Sequence, residues 1–260
     1  MNVSQGEERS RFAIYTSLVG SYESLLQPEV INEDFDYICF SSDIKEKRVG
    51  VWEIRKIPFS CSDATRLSRY VKLMPHKALP EYEYSLWMDA NIQIVGKEFY
   101  DIILRHINDE LIVGHVAHPF RDCIYDDIKE CIVNNRVGYW EARRQYRHLK
   151  EEGFPSHYGL YENNIILRQH NDKKVVALSE DIWKEYSSYS KRDQFCLVYI
   201  YWKHKFNPSL LFDSTQSARN LPSLKYHLHP KDDVGLPLGM RITNAIQVRK
   251  NRLLLALFSL

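Results

Sequence analysis

The chain has no C-x-x-C pair among its five cysteines, Cys39, Cys61, Cys123, Cys131 and Cys196. An odd, scattered set argues against a disulfide framework and a zinc knuckle and fits a reducing compartment. No apolar run reaches the roughly twenty residues needed to span a bilayer. Met1 to Arg11 is polar where a signal peptide would be apolar. A cytoplasmic chain, not integral to a membrane, is expected. The formal net charge is only +1, so no global field recruits nucleic acid and any anion site must be built locally. Internal repeats and low-complexity blocks are also missing, which sets aside solenoids and arrays.

What is present suits a globular domain. With 260 residues, 44% hydrophobic and 27% charged, the chain can bury a substantial core. Aromatic residues make up 13%, with 17 Tyr, and can serve sugar stacking as well as core-edge packing. Strand and helix patterns alternate through residue 120, which predicts an α/β sheet. The expected organisation is a flexible N-terminus (1–10), one domain (11–240), and a basic-then-apolar tail (241–260). That tail is too short and charged to cross a bilayer, and is expected to dock on the core, a second copy or the inner face of a membrane.

The centre of the pattern is Tyr84 to Ile94, an apolar strand interrupted by Asp89 and Asn91. Two oxygen-bearing side chains one residue apart can point the same way toward a hard cation, although Asp and Asn also favour turns. Upstream, Asp63 is placed to cap a helix over 64–74 that Pro75 stops. Arg66, Arg69 and Lys72 follow at three-residue spacing on that helix, a row able to cradle a pyrophosphate. Earlier strands over 11–20 and 35–43 place Thr16, Ser17, Ser42 and Asp43 where a nucleotide could be held, with structural turns the alternative.

Further along, a strand over 110–117 ends at His118, Pro119, Phe120, Arg121 and Asp122, and His118 is a candidate sugar contact. Charge-dense stretches over 126–134 and 139–152 predict two exposed helices, the second an excursion from the sheet. Glu162, Asn163 and Asn164 open a strand and could orient acceptor hydroxyls. Asp193, flanked by Arg192 and Gln194, begins an apolar helix whose dipole favours its ionised form. A strand is expected over 207–213. His227 and His229 alternate, so either could be a metal ligand from a second segment.

Taken together, Ala13-Ile14-Tyr15-Thr16 with Gly20-Ser21-Tyr22, the Asp63, Arg66, Ser68, Arg69 and Lys72 helix with Pro75-His76, Trp87-Met88-Asp89-Ala90-Asn91, His118-Pro119, Cys123-Ile124-Tyr125, Glu162-Asn163-Asn164 and Lys191-Arg192-Asp193-Gln194 resemble a glycosyltransferase-like family. That family was first catalogued as a domain of unknown function, in plant wall or mucilage proteins and bacterial surface-polysaccharide loci. The resemblance covers roughly residues 11 to 230.

It implies a GT-A-like fold: a Rossmann-type mixed sheet flanked by helices, here with a helical excursion and a C-terminal helical tail. It also implies a nucleotide-sugar donor, a glycan acceptor, and an Asp-x-Asp motif at Asp89 and Asn91 holding Mn²⁺ or Mg²⁺. Asn91 replaces the second carboxylate with a neutral oxygen, so the metal could be dispensable, leaving Arg66, Arg69 and Lys72 to neutralise the diphosphate. Asp193 is the candidate base or cation stabiliser, with Glu162 its rival, and Arg192 and Gln194 would position hydroxyls. Two other readings stay open: a lipid-amide hydrolase using His115, His118, His227 and His229, and a non-catalytic glycan-binding or assembly subunit.

Overall fold

The structure is a computed structural model that describes residues 11–20, 24–228 and 238–258. The expected flexible N-terminus (1–10) and His229 lie outside the described residues. The chain opens with β1 (Phe12–Leu18) and β2 (Phe35–Ser41), then a short hairpin of β3 (Arg48–Val49) and β4 (Trp52–Arg55). β1 and β2 are buried almost throughout, as continuous apolar runs require when both faces of a sheet are covered.

α1 (Ala64–Leu73) starts where the Asp63 carboxylate accepts from the Thr65 and Arg66 amides at 3.0 and 3.2 Å. It ends at Met74, where Pro75 restarts the backbone as the short α2 (Pro75–Ala78). β5 (Tyr84–Met88), β6 (Ile92–Ile94), α3 (Glu98–Asn108) and β7 (Val113–Ala117) follow. β7 begins later than the apolar pattern suggests because Glu110, at φ 54°, reverses the chain at the end of α3. The remaining elements are α4 (Ile124–Val133), α5 (Tyr139–Glu151), β8 (Tyr161–Arg168), α6 (Lys173–Ser188), α7 (Gln194–Lys203), β9 (Ser209–Leu210), β10 (Leu224–Tyr226) and α8 (Leu238–Phe258).

The main sheet has the order β3-β4-β2-β1-β5-β8-β7-β9. β1 pairs parallel with β2 and β5, whereas β8 runs antiparallel to both β5 and β7. This is the mixed sheet flanked by helices expected from the sequence. β1 has β2 on one side and β5 on the other, so the strand order reverses there, and crevices beyond the carboxyl ends of such strands hold ligands. Apolar side chains fill both faces. Tyr15, Phe40 and Trp87 pack with residues of α4 to α7 on one face, and Ile14, Cys39 and Met88 pack with α3 on the other.

Two expectations change. α4 and α5 are less exposed than expected: Tyr125, Ile128, Ile132, Ala142 and Leu149 are buried in the core together with Asp127, and most of the remaining charge lies on their outer sides. The strand expected over 207–213 shrinks to β9 at the sheet edge. α8 packs on α4, with Asn251 Nδ2 donating to the Ile132 carbonyl at 2.6 Å and Leu254 and Leu255 against the core. Among the described residues, no helix is long and apolar enough to cross a membrane.

Candidate functional site

Asp89 follows the last residue of β5, and its amide donates to the Asn164 carbonyl at 2.8 Å, extending the β5–β8 ladder by one bond. Trp87 and Asp89 are two residues apart and share a face. The indole Nε1 donates to Asp89 Oδ1 at 2.7 Å. Lys72 reaches the same oxygen from α1 at 3.3 Å and pairs with Asp193 Oδ2 at 2.7 Å. Arg69 Nε lies 3.5 Å from Asp193 Oδ1. The Lys72 side chain is only 2% exposed, Asp193 8% and Asp89 29%.

Burial alone would push the Asp193 carboxyl up, but Lys72 and Arg69 outweigh it and hold the group far below the usual carboxylate range. Arg69 loses solvation too, yet Asp193 and Asp89 raise its pKa above the ordinary value. Asp193 occupies the cap position of α7 without capping it, because its side chain turns to the two cations. Beneath them, the buried Arg168 donates to the Lys72 carbonyl at 2.7 Å and to the Tyr15 hydroxyl at 3.4 Å. Arg168, Lys72 and Arg69 therefore stand against Asp193 and Asp89, with Arg168, Lys72 and Asp193 buried and Arg69 and Asp89 partly exposed.

The basic row of α1 divides. Steps of three residues drift around a helix, so Arg66 and Lys72 diverge by about 120°. Arg66 leaves the cluster and donates to the Ser187 carbonyl at 3.2 Å. Thr16 and Ser17 likewise alternate across β1. Ser17 Oγ meets Ser68 Oγ of α1 at 2.6 Å, while Thr16 Oγ1 is buried without a hydrogen-bond partner among the described residues, in a narrow cleft shared with Met88, Asp89 and Trp52. Beyond β2, Ser42 Oγ donates to Asp43 Oδ1 at 3.0 Å, and the other Asp43 oxygen accepts from the Gly20 amide. Asp43 thus ties together the ends of β1 and β2.

On the opposite side of Asp89, the β7–β8 register slips: His115 faces Ile166, but Val116 faces Glu162. The irregularity frees Asn163 and Asn164 from the ladder with β7, as bulges beside sites do. Asn164 Oδ1 and Nδ2 and Asn163 Nδ2 are buried with no hydrogen-bond partner among the described residues. Glu162 pairs through Oε1 with Arg219, whereas its Oε2 is buried and accepts no hydrogen bond there. His118 Nδ1 accepts from the Phe120 and Arg121 amides at 3.3 and 3.0 Å, so its proton sits on Nε2. Burial, aided by Arg121, Arg219 and Arg192 against the pull of Asp127, lowers the His118 pKa and keeps the ring neutral. Gln194 Nε2 donates to the Tyr161 carbonyl, and Arg192 Nε is buried without a hydrogen-bond partner among the described residues.

The donor set at Asp89 suits a divalent ion poorly. Its Oδ1 is already engaged by Trp87 and Lys72. Asn91 donates its amide to the His227 carbonyl at 2.8 Å, and His227 Nε2 meets Gln93 Oε1 at 3.0 Å. Among the described residues, no convergence of three His, Cys, Asp or Glu ligand atoms occurs there.

Trp87 belongs to the Trp87–Asn91 motif, and its i, i+2 relation to Asp89 accounts for the indole contact. Arg219 and Arg168 carry no local signal, because their partners are distant in the chain.

The TOD1/MUCI70, glycosyltransferase-like domain model matches residues 8–227. The probable hexosyltransferase MUCI70 of Arabidopsis thaliana is 26% identical over 200 residues, which is 70% of this chain. The matched region is 33% of that relative's length. Among solved structures, mouse xyloside xylosyltransferase 1 aligns over 77% of this chain and 84% of its own with a TM-score of 0.43 at 9% identity. The WbbM bifunctional glycosyltransferase aligns over 96% of this chain and 46% of its own, with a TM-score of 0.45 at 8% identity. The family match over most of its length identifies the chain as a member of the TOD1/MUCI70 glycosyltransferase-like family.

Proposed function

We propose that the chain transfers a hexose from a nucleotide-diphosphate donor to a hydroxyl of a glycan acceptor. The observation that carries this reading is the cation pair of buried Lys72 and half-buried Arg69, held by Asp193 and Asp89 beyond the carboxyl ends of β1 and β5. An ammonium has three donors. Two are directed at Asp193 and Asp89, leaving the third for a phosphate oxygen. Ser42 and Asp43, just beyond β2, are assigned to the ribose, and Thr16 to the cleft beside it.

In the reaction, the acceptor oxygen bonds to the anomeric carbon while the bond from that carbon to the diphosphate breaks, the electron pair leaving with the diphosphate. Lys72 and Arg69 stabilise the departing charge, as preorganised cations do best in a site without water. The hydroxyl proton goes to Glu162 Oε2, the carboxylate oxygen without a hydrogen-bond partner among the described residues. Asp193 is the poorer base of the two, because two cations lower its proton affinity whereas one, Arg219, pairs with Glu162. Its assigned role is to orient Lys72 and oppose positive charge building on the sugar ring. Asn163 and Asn164 offer their unpaired amides to sugar hydroxyls, and neutral His118 offers Nε2–H.

The test is a panel of nucleotide sugars scored by thermal shift, with and without Mn²⁺, coupled to measurement of released nucleoside diphosphate in the presence of glycan acceptors. A shift that needs no Mn²⁺ and disappears in Lys72→Met is expected. Absence of any shift or release across the panel overturns the reading.

A further inference from the structure

Away from Asp89, three ligand-bearing side chains converge from two segments. Cys123 ends the loop after β7, Asp126 lies in the first turn of α4, and His157 lies in the loop before β8. Cys123 Sγ, a carboxylate oxygen of Asp126 and a ring nitrogen of His157 all lie within 4.8 Å of one another. Cys123 is 3% exposed. The Cys61, Cys131 and Cys196 thiols each meet an oxygen, whereas no hydrogen bond engages that of Cys123 among the described residues. A fourth residue completes the pattern: Asp122 Oδ1 lies 2.8 Å from His157 Nδ1. A carboxylate holding Nδ1–H fixes the imidazole with the Nε2 lone pair free, the arrangement that presents histidine to a metal.

We propose that Cys123, Asp126 and His157 bind a zinc ion, with Asp122 orienting the histidine. A thiolate and an imidazole are soft and borderline donors that select Zn²⁺ over Mg²⁺ or Mn²⁺, and three protein ligands leave one tetrahedral position for water. Binding converts the Cys123 thiol to thiolate and releases its proton to solvent. The ion ties the loop carrying His118 to the loop that feeds Glu162, Asn163 and Asn164. Its role is to fix the acceptor wall rather than to take part at the diphosphate.

The experiment strips the full chain with chelator and titrates it with Co²⁺, whose absorption reports a coordinated thiolate as an intense charge-transfer band. A single ion per chain, a thiolate band and displacement by Zn²⁺ are expected. Cys123→Ser abolishes the band, and Asp122→Asn weakens affinity by about tenfold or more. His157→Ala, at an exposed ring, gives a second test if Cys123→Ser does not fold, and should weaken binding at least as much as Asp122→Asn. Asp89→Asn leaves the titration unchanged, so a failure of sugar transfer and a failure of zinc binding are separable. A wild-type titration without a thiolate band, or one that neither Cys123→Ser nor His157→Ala alters, overturns the proposal.

Discussion

Lys72 Nζ and Asp193 Oδ2 stand 2.7 Å apart, one from α1 and the other from the start of α7, with both side chains almost fully buried. Removing one partner leaves the other charge buried and uncompensated. Lys72→Met should therefore lower unfolding stability by about 3–5 kcal/mol, measured by urea denaturation. The double variant Lys72→Met/Asp193→Leu should recover much of that loss.

The same pair sets an acid limb. Asp193 has a folded pKa below its unfolded value, so its contribution is complete above the ordinary carboxylate value of roughly 3.9. It is lost as pH falls from there toward the folded value. The stability difference between wild type and Asp193→Asn should stay constant from neutral pH to about 5 and narrow below about 4. Denaturant melts across that range check it.

His170 acts at higher pH. Burial lowers it to about 4, and its Nε2 lies 2.7 Å from the Leu79 carbonyl. The unfolded chain takes up this proton first, so the stability it permits is complete above roughly 6.5 and declines as pH falls toward about 4. His170→Gln should flatten that part of the stability–pH curve, as followed by urea melts at half-unit intervals of pH.

Asn164 has a buried amide with neither polar atom hydrogen-bonded among the described residues, an arrangement that costs on the order of 1–3 kcal/mol. Asn164→Leu should leave the melting temperature unchanged or raise it, while weakening nucleotide-sugar or acceptor binding. Paired calorimetric scans and binding titrations check both halves of the expectation.

The two carboxylates should separate kinetically. Glu162→Gln removes the assigned base and should lower kcat by about 10²–10⁴-fold with little change in donor affinity. Asp193→Asn should weaken donor binding as well, because it releases Lys72 and Arg69. Donor titrations alongside turnover distinguish them.

Parts of this arrangement were legible in the sequence because the cause is local. The Asp63 cap, the stop at Pro75 and the apolar runs of β1, β2 and β5 follow from adjacent residues. Asp89 stood out as a carboxylate interrupting an apolar strand. The fate of the basic row did not, since whether a lysine is solvated or buried depends on its counter-ion, and that of Lys72 arrives with α7. The β7–β8 slip was hidden because register is a property of two strands. The scattered cysteines show no C-x-x-C spacing, and spacing alone could not reveal Cys123 near His157, which a helical hairpin brings back from later in the chain.

The Lys72–Asp193 pair also bears on how the molecule assembles. Neither charge can shed its water before the other arrives without a large penalty, and the partners come from opposite halves of the chain. Docking of α1 and docking of α7 are thereby expected to be coupled, with the charge pair penalising compact states in which either helix sits a turn out of place. The apolar double variant has no such inspection step and should refold faster than wild type in stopped-flow experiments, while reaching its native arrangement less uniformly.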